Sequence, residues 1–128
     1  VISKGWIGVD LDGTLAVYEG WQGIEHIGRP VPAMVQRVKD WLADGIEVRI
    51  VTARVGGKGP EREQARSYVR AWLIEHVGQA LEITNEKDFG MVELWDDRSV
   101  QVIPNTGMTV EEYYLRTLDK FNNMSEAA

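Results

Sequence analysis

The sequence predicts an α/β fold, a three-layer α/β/α sandwich around a mainly parallel, Rossmann-like sheet. Three observations predict it. Short apolar runs rich in β-branched residues alternate with longer segments of helical periodicity. The 128 residues amount to one domain, with no internal repeat, low-complexity tract or linker. The chemically capable side chains gather just after the apolar runs, where open parallel sheets place their ligands.

Each element has a local reason. Trp6 to Leu11 is a short apolar run and the first buried strand. Residues 13–31 hold Gly13, Gly20, Gly23, Gly28 and Pro30 and form a loop or small flap, residues 15–31 being the flap proper. Pro32 opens a helix whose apolar positions Met34, Val35, Val38, Trp41 and Leu42 share one face, and Gly45 caps its end. Ile46 to Val51 is a second strand. A loose Gly/Lys stretch, Gly56-Gly57-Lys58-Gly59, precedes a long helix from about Glu61 to Val77, with Ala65, Tyr68, Val69, Trp72, Leu73 and His76 as its buried stripe and Gly78 at its end.

Leu81 to Thr84, Met91 to Trp95 and Val100 to Ile103 supply a third, fourth and fifth strand. Pro104-Asn105-Thr106-Gly107 closes the fifth. Thr109 and Glu112 have the spacing of a capping box for a last helix, whose apolar side is Val110, Tyr113, Tyr114, Leu118 and Phe121. Residues 122–128 are expected to fray, which leaves a core of about residues 5–121 in a single domain 1–128.

Composition narrows the function. With no cysteine, a disulfide scaffold, a Cys-ligated zinc site, an iron–sulfur cluster and a thiol nucleophile are excluded. Two histidines, His26 and His76, leave little for a His-built metal site. No apolar run approaches the roughly 20 residues that span a bilayer, and the N-terminal run is too short for a signal peptide. A cytoplasmic protein without membrane contact is expected. The balance of 14 Lys+Arg against 20 Asp+Glu gives a net charge of −6, which disfavours nonspecific nucleic-acid binding.

Asp10-Leu11-Asp12-Gly13-Thr14 is the central signal. Two carboxylates leave an apolar strand together, and Gly13 lets the chain turn sharply with backbone amides facing a ligand. Asp96-Asp97 adds two more carboxylates after the fourth strand. Acids converging in this way repel one another, and a hard divalent cation such as Mg²⁺ relieves the repulsion. Residual repulsion raises one carboxyl's pKa and makes it a usable proton donor. Thr52 and Lys87, each after a strand, suit phosphoryl oxygens. Nucleophile, acid/base, cation site and oxyanion clamp together make a set for phosphoryl transfer through an aspartyl-phosphate.

These residues resemble, in order, the four motifs of the haloacid dehalogenase-like (HAD) superfamily of phosphohydrolases: Asp10-Leu11-Asp12-Gly13-Thr14, then Thr52 in Ile50-Val51-Thr52-Ala53-Arg54, then Lys87, then Asp96-Asp97-Arg98. The resemblance covers about residues 5–107. It implies a strand order of 3-2-1-4-5, with Asp10 as nucleophile and Asp12 as general acid and then base. It implies that Thr52 and Lys87 hold the transferring phosphoryl group. It further implies Mg²⁺ bound by the Asp10 carboxylate, the Asp12 backbone carbonyl and the Asp96/Asp97 pair, with Asp97 the expected direct ligand. Gly13, Thr14, Ala53, Arg54 and Lys58 are the candidates for contacting substrate, although Arg54 and Arg98 also have acids close by to pair with.

Only short insertions are possible at 15–31 and 85–90, so the chain is similar to capless members with an open site. The flap, the Gly/Lys loop and Asp96-Asp97-Arg98 also resemble, more weakly, the phosphatase domain of polynucleotide kinase-phosphatases. The expected function is Mg²⁺-dependent hydrolysis of a phosphomonoester, with a nucleotide or polynucleotide 3′-phosphate as the alternative substrate. In that case Trp21 and Tyr18 would stack on a base, though such residues more often pin a loop. Two rivals of another class are a phospho-receiver domain, disfavoured because its acidic pair comes early in the chain, and a non-catalytic HAD-fold binding module.

Overall fold

The computed structural model describes residues 5–127, with side chains through Met124. Residues through Asp97 form one compact unit and those from Arg98 a second. In the first unit, strands β1 (Trp6–Asp10), β2 (Glu47–Val51), β3 (Glu82–Thr84) and β4 (Met91–Trp95) make a parallel sheet in the order β3-β2-β1-β4. Helix α1 (Pro32–Ala43) joins β1 to β2, and α2 (Gly59–His76) joins β2 to β3. Helix α3 (Val110–Ala127) belongs to the second unit.

β1 is central because every residue from Trp6 to Val9 tolerates burial, and all four are buried. Its register sets Ile7 beside Val48 and Val9 beside Ile50, and Ile50 beside Ile83. Neighbours in register point to one face, so these side chains form one apolar surface. Val35 and Val38 of α1 and Val69 and Leu73 of α2 complete that core. The steps from β1 to β2 to β3 run in one direction across the sheet. Right-handed crossovers therefore place both helices on the same face.

The expected three-layer sandwich is thus met in part, since within residues 5–97 only one face carries helices. The opposite face presents Gly8, Arg49 and Leu94 in register. There Arg49 lies 4.4 Å over the Trp6 ring and pairs with Glu47 at 2.6 Å, Glu82 at 2.9 Å and Asp88 at 3.3 Å. Leu94 is 39% and Val92 60% exposed.

The expected fifth strand is not formed. Residues 100–103 fold back on 108–110 instead. The Ile103 N–H donates to Met108 O at 2.8 Å, Val110 N–H donates to Gln101 O at 3.1 Å, and Val102 bridges Thr109 antiparallel. Asn105 (φ 66°) and Gly107 (φ 70°) close this turn, so the β-branched run spends its hydrogen bonds locally. The capping box is present: Glu112 N–H donates to Thr109 Oγ1 and Thr109 N–H to Glu112 Oε1, each at 3.0 Å. Residue 128 of the segment expected to fray lies outside the described residues, and the last helix runs through the rest of that segment to Ala127, with no Gly or Pro to interrupt it. Its apolar side, Tyr113, Tyr114, Leu118 and Phe121, is exposed.

α2 starts at Gly59, two residues before the expected Glu61, because Pro60 fits the first turn, where its missing N–H costs nothing. Tyr68, expected in the buried stripe of this helix, is 37% exposed. The flap is pinned at its base and its side. Val17 N–H donates to Arg29 O and Val31 N–H to Leu15 O, both at 2.8 Å, and the Trp72 indole N–H of α2 donates to Gly28 O at 2.9 Å.

Candidate active site

The site lies at the carboxyl ends of β1, β2 and β4, all within the first unit. Asp10 ends β1, beside Val51 of β2, and β4 runs directly into Asp96 and Asp97 on the other side. Carboxylate oxygens of Asp10, Asp96 and Asp97 come within 4.8 Å of one another. Asp10 is half-buried. Its carboxyl is pushed up to about 7, first by burial, then by a hydrogen bond shared with Asp97 and by the charges of Asp96 and Asp97; a hydrogen bond to the Leu11 backbone acts the other way.

Thr14 braces this cluster. Its hydroxyl donates to Asp97 Oδ1 at 3.0 Å and accepts the Asp97 N–H at 3.0 Å, with Asp10 Oδ2 at 3.5 Å. Gly13 adopts φ 93°, and a Cβ there would collide with the Asp97 carboxylate. Both the left-handed turn and the close approach of the acid therefore require glycine. Gly13 and Thr14 shape the acidic cluster itself, a role distinct from the substrate contact expected of them.

Asp12 stands apart from the acidic cluster. Its carboxylate turns to Arg54, taking Nε at 2.7 Å and Nη2 at 2.9 Å. Its carboxylate is therefore not among the three that meet at the strand ends. Arg54 is rooted in the 3₁₀ turn Ala53–Val55, and its N–H donates to Thr52 Oγ1 at 3.2 Å. Thr52 is 2% exposed, and a hydroxyl that accepts one bond can still donate another. Arg54 also donates to two flap carbonyls, Ile24 O at 3.2 Å and His26 O at 2.9 Å, and lies 4.9 Å over the Trp21 ring.

The structure thus joins Asp10, Asp96, Asp97 and Thr14 in one cluster and Asp12, Arg54 and the flap in a second beside it. Ala53 and Lys58 are exposed, Lys58 standing immediately before α2. Lys87 is exposed in the segment between β3 and β4, beside Asp88, whose carboxylate accepts the Trp6 indole N–H at 2.8 Å and pairs with Arg49 on the helix-free face of the sheet. The roles of Trp21, Ile24 and His26 in gripping Arg54 had no sequence signal beyond the expectation that Trp21 pins a loop, because backbone carbonyls leave no mark in the sequence.

The donor set fits a hard divalent cation. Two half-buried carboxylates, Asp10 and Asp96, meet the exposed carboxylate of Asp97, a hydroxyl orients that third acid, and the Asp10 carboxyl at about 7 is close to ionisation at neutral pH.

No family model matches the chain, and no curated protein does. The fold has a solved counterpart. The structure of a conserved protein coded by a locus from Bacteroides thetaiotaomicron is similar at a TM-score of 0.50 and 20% identity, covering 92% of this chain and 94% of that one. That likeness concerns the fold alone. Among the described residues no helix is long and apolar enough to cross a membrane.

Proposed function

We propose that the protein is a Mg²⁺-dependent phosphomonoester hydrolase of the HAD type, acting through an aspartyl-phosphate on Asp10. The observation that carries this reading is the meeting of Asp10, Asp96 and Asp97 within 4.8 Å at adjacent parallel strand ends, with Asp12 held separately by Arg54. A site with one role for its carboxylates needs no such separation. Here one acid stands among ligand-type acids, and the second is aimed elsewhere.

When bound, Mg²⁺ would neutralise the acidic cluster, leave the Asp10 carboxyl ionised for attack, and offset charge on the phosphoryl oxygens. Asp10, the Asp12 backbone carbonyl and Asp97 would hold it, with Asp96 acting through a water. Asp10 Oδ attacks phosphorus as the bond to the leaving oxygen breaks, and Asp12, having first taken up a proton in place of one of its Arg54 bonds, gives that proton to the leaving oxygen. A water then attacks the phospho-aspartate. Asp12 takes the water's proton, the Asp10–phosphorus bond breaks, and inorganic phosphate leaves. The Thr52 hydroxyl steadies the phosphoryl oxygens, and the ammonium of Lys87 would have to reach them from the segment between β3 and β4. A cytoplasmic setting goes with this reading, since a chain without cysteine makes no use of an oxidising compartment.

A nucleotide or polynucleotide 3′-phosphate is the second reading for the substrate. Trp21, 57% exposed, and Tyr18, 49% exposed, favour it as aromatic surfaces on the flap.

The test is hydrolysis of p-nitrophenyl phosphate, nucleotides, sugar phosphates and a 3′-phosphorylated oligonucleotide, with and without Mg²⁺. Mg²⁺-dependent turnover that Asp10→Asn abolishes is the expected result. Mg²⁺ binding without turnover on any of these substrates would favour a binding module or a macromolecular substrate outside the panel.

A further inference from the structure

We propose that Arg54 is a positioning residue that couples the flap to Asp12, so that the seated flap fixes the direction in which Asp12 presents its carboxyl group. The catalytic part of this inference rests on the phosphomonoesterase reading above; the mechanical part does not.

The guanidinium is 5% exposed and is met from two sides. On one side the Asp12 carboxylate takes Nε and Nη2 in a two-pronged pair at 2.7 and 2.9 Å. On the other the flap supplies Ile24 O at 3.2 Å, His26 O at 2.9 Å and the Trp21 ring at 4.9 Å. The root is fixed as well, because the Arg54 N–H is bonded to the buried Thr52 hydroxyl at the end of β2. A side chain held at its root and at four of its donor contacts has little freedom of its own. Rotation of Asp12 breaks two charge-assisted bonds, and withdrawal of residues 21–26 removes the carbonyls that hold the fork in plane.

Arginine is the residue this arrangement requires. A planar fork presents parallel N–H groups to a carboxylate and further N–H groups outward in the same plane. A lysine ammonium supplies charge without that direction. A surface staple would need the flap contacts alone, and a counter-ion would need the carboxylate alone. Arg54 makes both, and Asp12 is the group that moves a proton in the proposed reaction.

The coupling is read without turnover by amide hydrogen exchange in the full chain at the hydrogen-bonded N–H groups of the flap, His26 to Gly23 O at 3.2 Å and Val17 to Arg29 O at 2.8 Å. Arg54→Lys and Asp12→Asn are each expected to speed exchange there about tenfold. Asp10→Asn, which leaves both contacts in place, is expected to leave it unchanged. Asp12→Asn keeps the size of the side chain and serves as the second probe should Arg54→Lys fold poorly. Unchanged flap exchange in Asp12→Asn overturns the coupling, whatever the enzyme assay shows.

Positioning of the proton donor is read in the first turnover, as the burst of alcohol release with Mg²⁺ present. An alkyl phosphomonoester needs a proton on its leaving oxygen, whereas p-nitrophenolate leaves without one. Arg54→Lys is expected to slow the alkyl burst about 100-fold and the p-nitrophenyl burst less than about 3-fold, with little change in KM. Equal losses on both substrates would make Arg54 a structural staple and overturn the positioning role. A faster alkyl burst would also overturn it, since the pair would then be a latch that restrains Asp12. No turnover by the unaltered protein rejects the phosphatase reading and with it the positioning role, and the exchange experiment alone then decides the coupling.

Discussion

The Thr14 hydroxyl fits between two groups of Asp97, accepting its backbone N–H at 3.0 Å and donating to its carboxylate Oδ1 at 3.0 Å. A single side chain at the turn after β1 thereby fixes both the backbone and the carboxylate at the end of β4. Removing that hydroxyl deletes two of the contacts that orient the acid. Thr14→Val is expected to weaken Mg²⁺ binding about 10- to 100-fold, the usual loss when a ligand loses its outer hydrogen bond. Thr14→Ser, which keeps the oxygen, should stay near the unaltered protein. Isothermal titration with Mg²⁺ separates the two variants.

The pH dependence of stability follows from Asp10. Folded and without a cation, its carboxyl is pushed up to about 7 by burial and by Asp97 and Asp96, while the ordinary value is 3.8. Between those two values the folded protein binds more protons than the unfolded chain. The stability contributed by protonated Asp10 is therefore fully present below about pH 4 and is lost as pH rises through about 7. The chelator-treated protein should show urea midpoints that decline across this window, on top of its other titrations. Asp10→Asn should remove that decline. Saturating Mg²⁺ should reverse it, since the cation competes with the proton. A midpoint that rises with pH in the unaltered protein and in Asp10→Asn alike would place the titration elsewhere.

Gly13→Ala faces two obstacles at once. The φ of 93° strains any residue with a Cβ, and the added carbon meets the Asp97 carboxylate. Strain of this kind costs about 1–3 kcal/mol. The collision also displaces a candidate cation ligand. The expected outcome is a loss of about 2 kcal/mol in urea unfolding together with weaker Mg²⁺ binding. Gly20→Ala is the comparison, because that glycine has a φ of 102° but nothing within 4 Å of a Cβ. It should lose stability without losing affinity for Mg²⁺.

The legible part of this molecule was the part written in periodicity and strand-end chemistry. Apolar alternation located β1, β2, β3 and β4 to within a residue or two, because burial on a sheet leaves a pattern in the side chains. The grouping of Asp10 with Asp96 and Asp97 was legible because acids that follow adjacent parallel strands meet at one edge. The fifth strand is not legible in this way. Val100–Ile103 has β-branched residues, yet the turn at Asn105 and Gly107 lets it pair with 108–110, and pattern alone does not say which partner a strand will take. The hold of Arg54 on the flap was only half legible. An acid partner was to be expected, whereas the carbonyls of Ile24 and His26 depend on the path of a loop whose sequence is mostly glycine and polar residues.

Trp72 offers a test of the flap that leaves the acids alone. Its ring packs in the core of α2 at 7% exposure, and its indole N–H reaches across to Gly28 O at 2.9 Å. Phenylalanine keeps most of the apolar contact and deletes the donor. The Gly28 carbonyl then loses this bond in a partly buried position, a change that costs about 1–2 kcal/mol. Trp72→Phe should therefore lower the urea midpoint by that amount and speed amide exchange near residues 28–29. Mg²⁺ affinity should stay unchanged, because neither Asp10, Thr14 nor Asp97 touches this bond. An equal loss of Mg²⁺ affinity would mean that the flap and the acidic cluster form one cooperative unit. The division of the site into an acidic cluster and a separate Arg54–flap assembly would then be wrong.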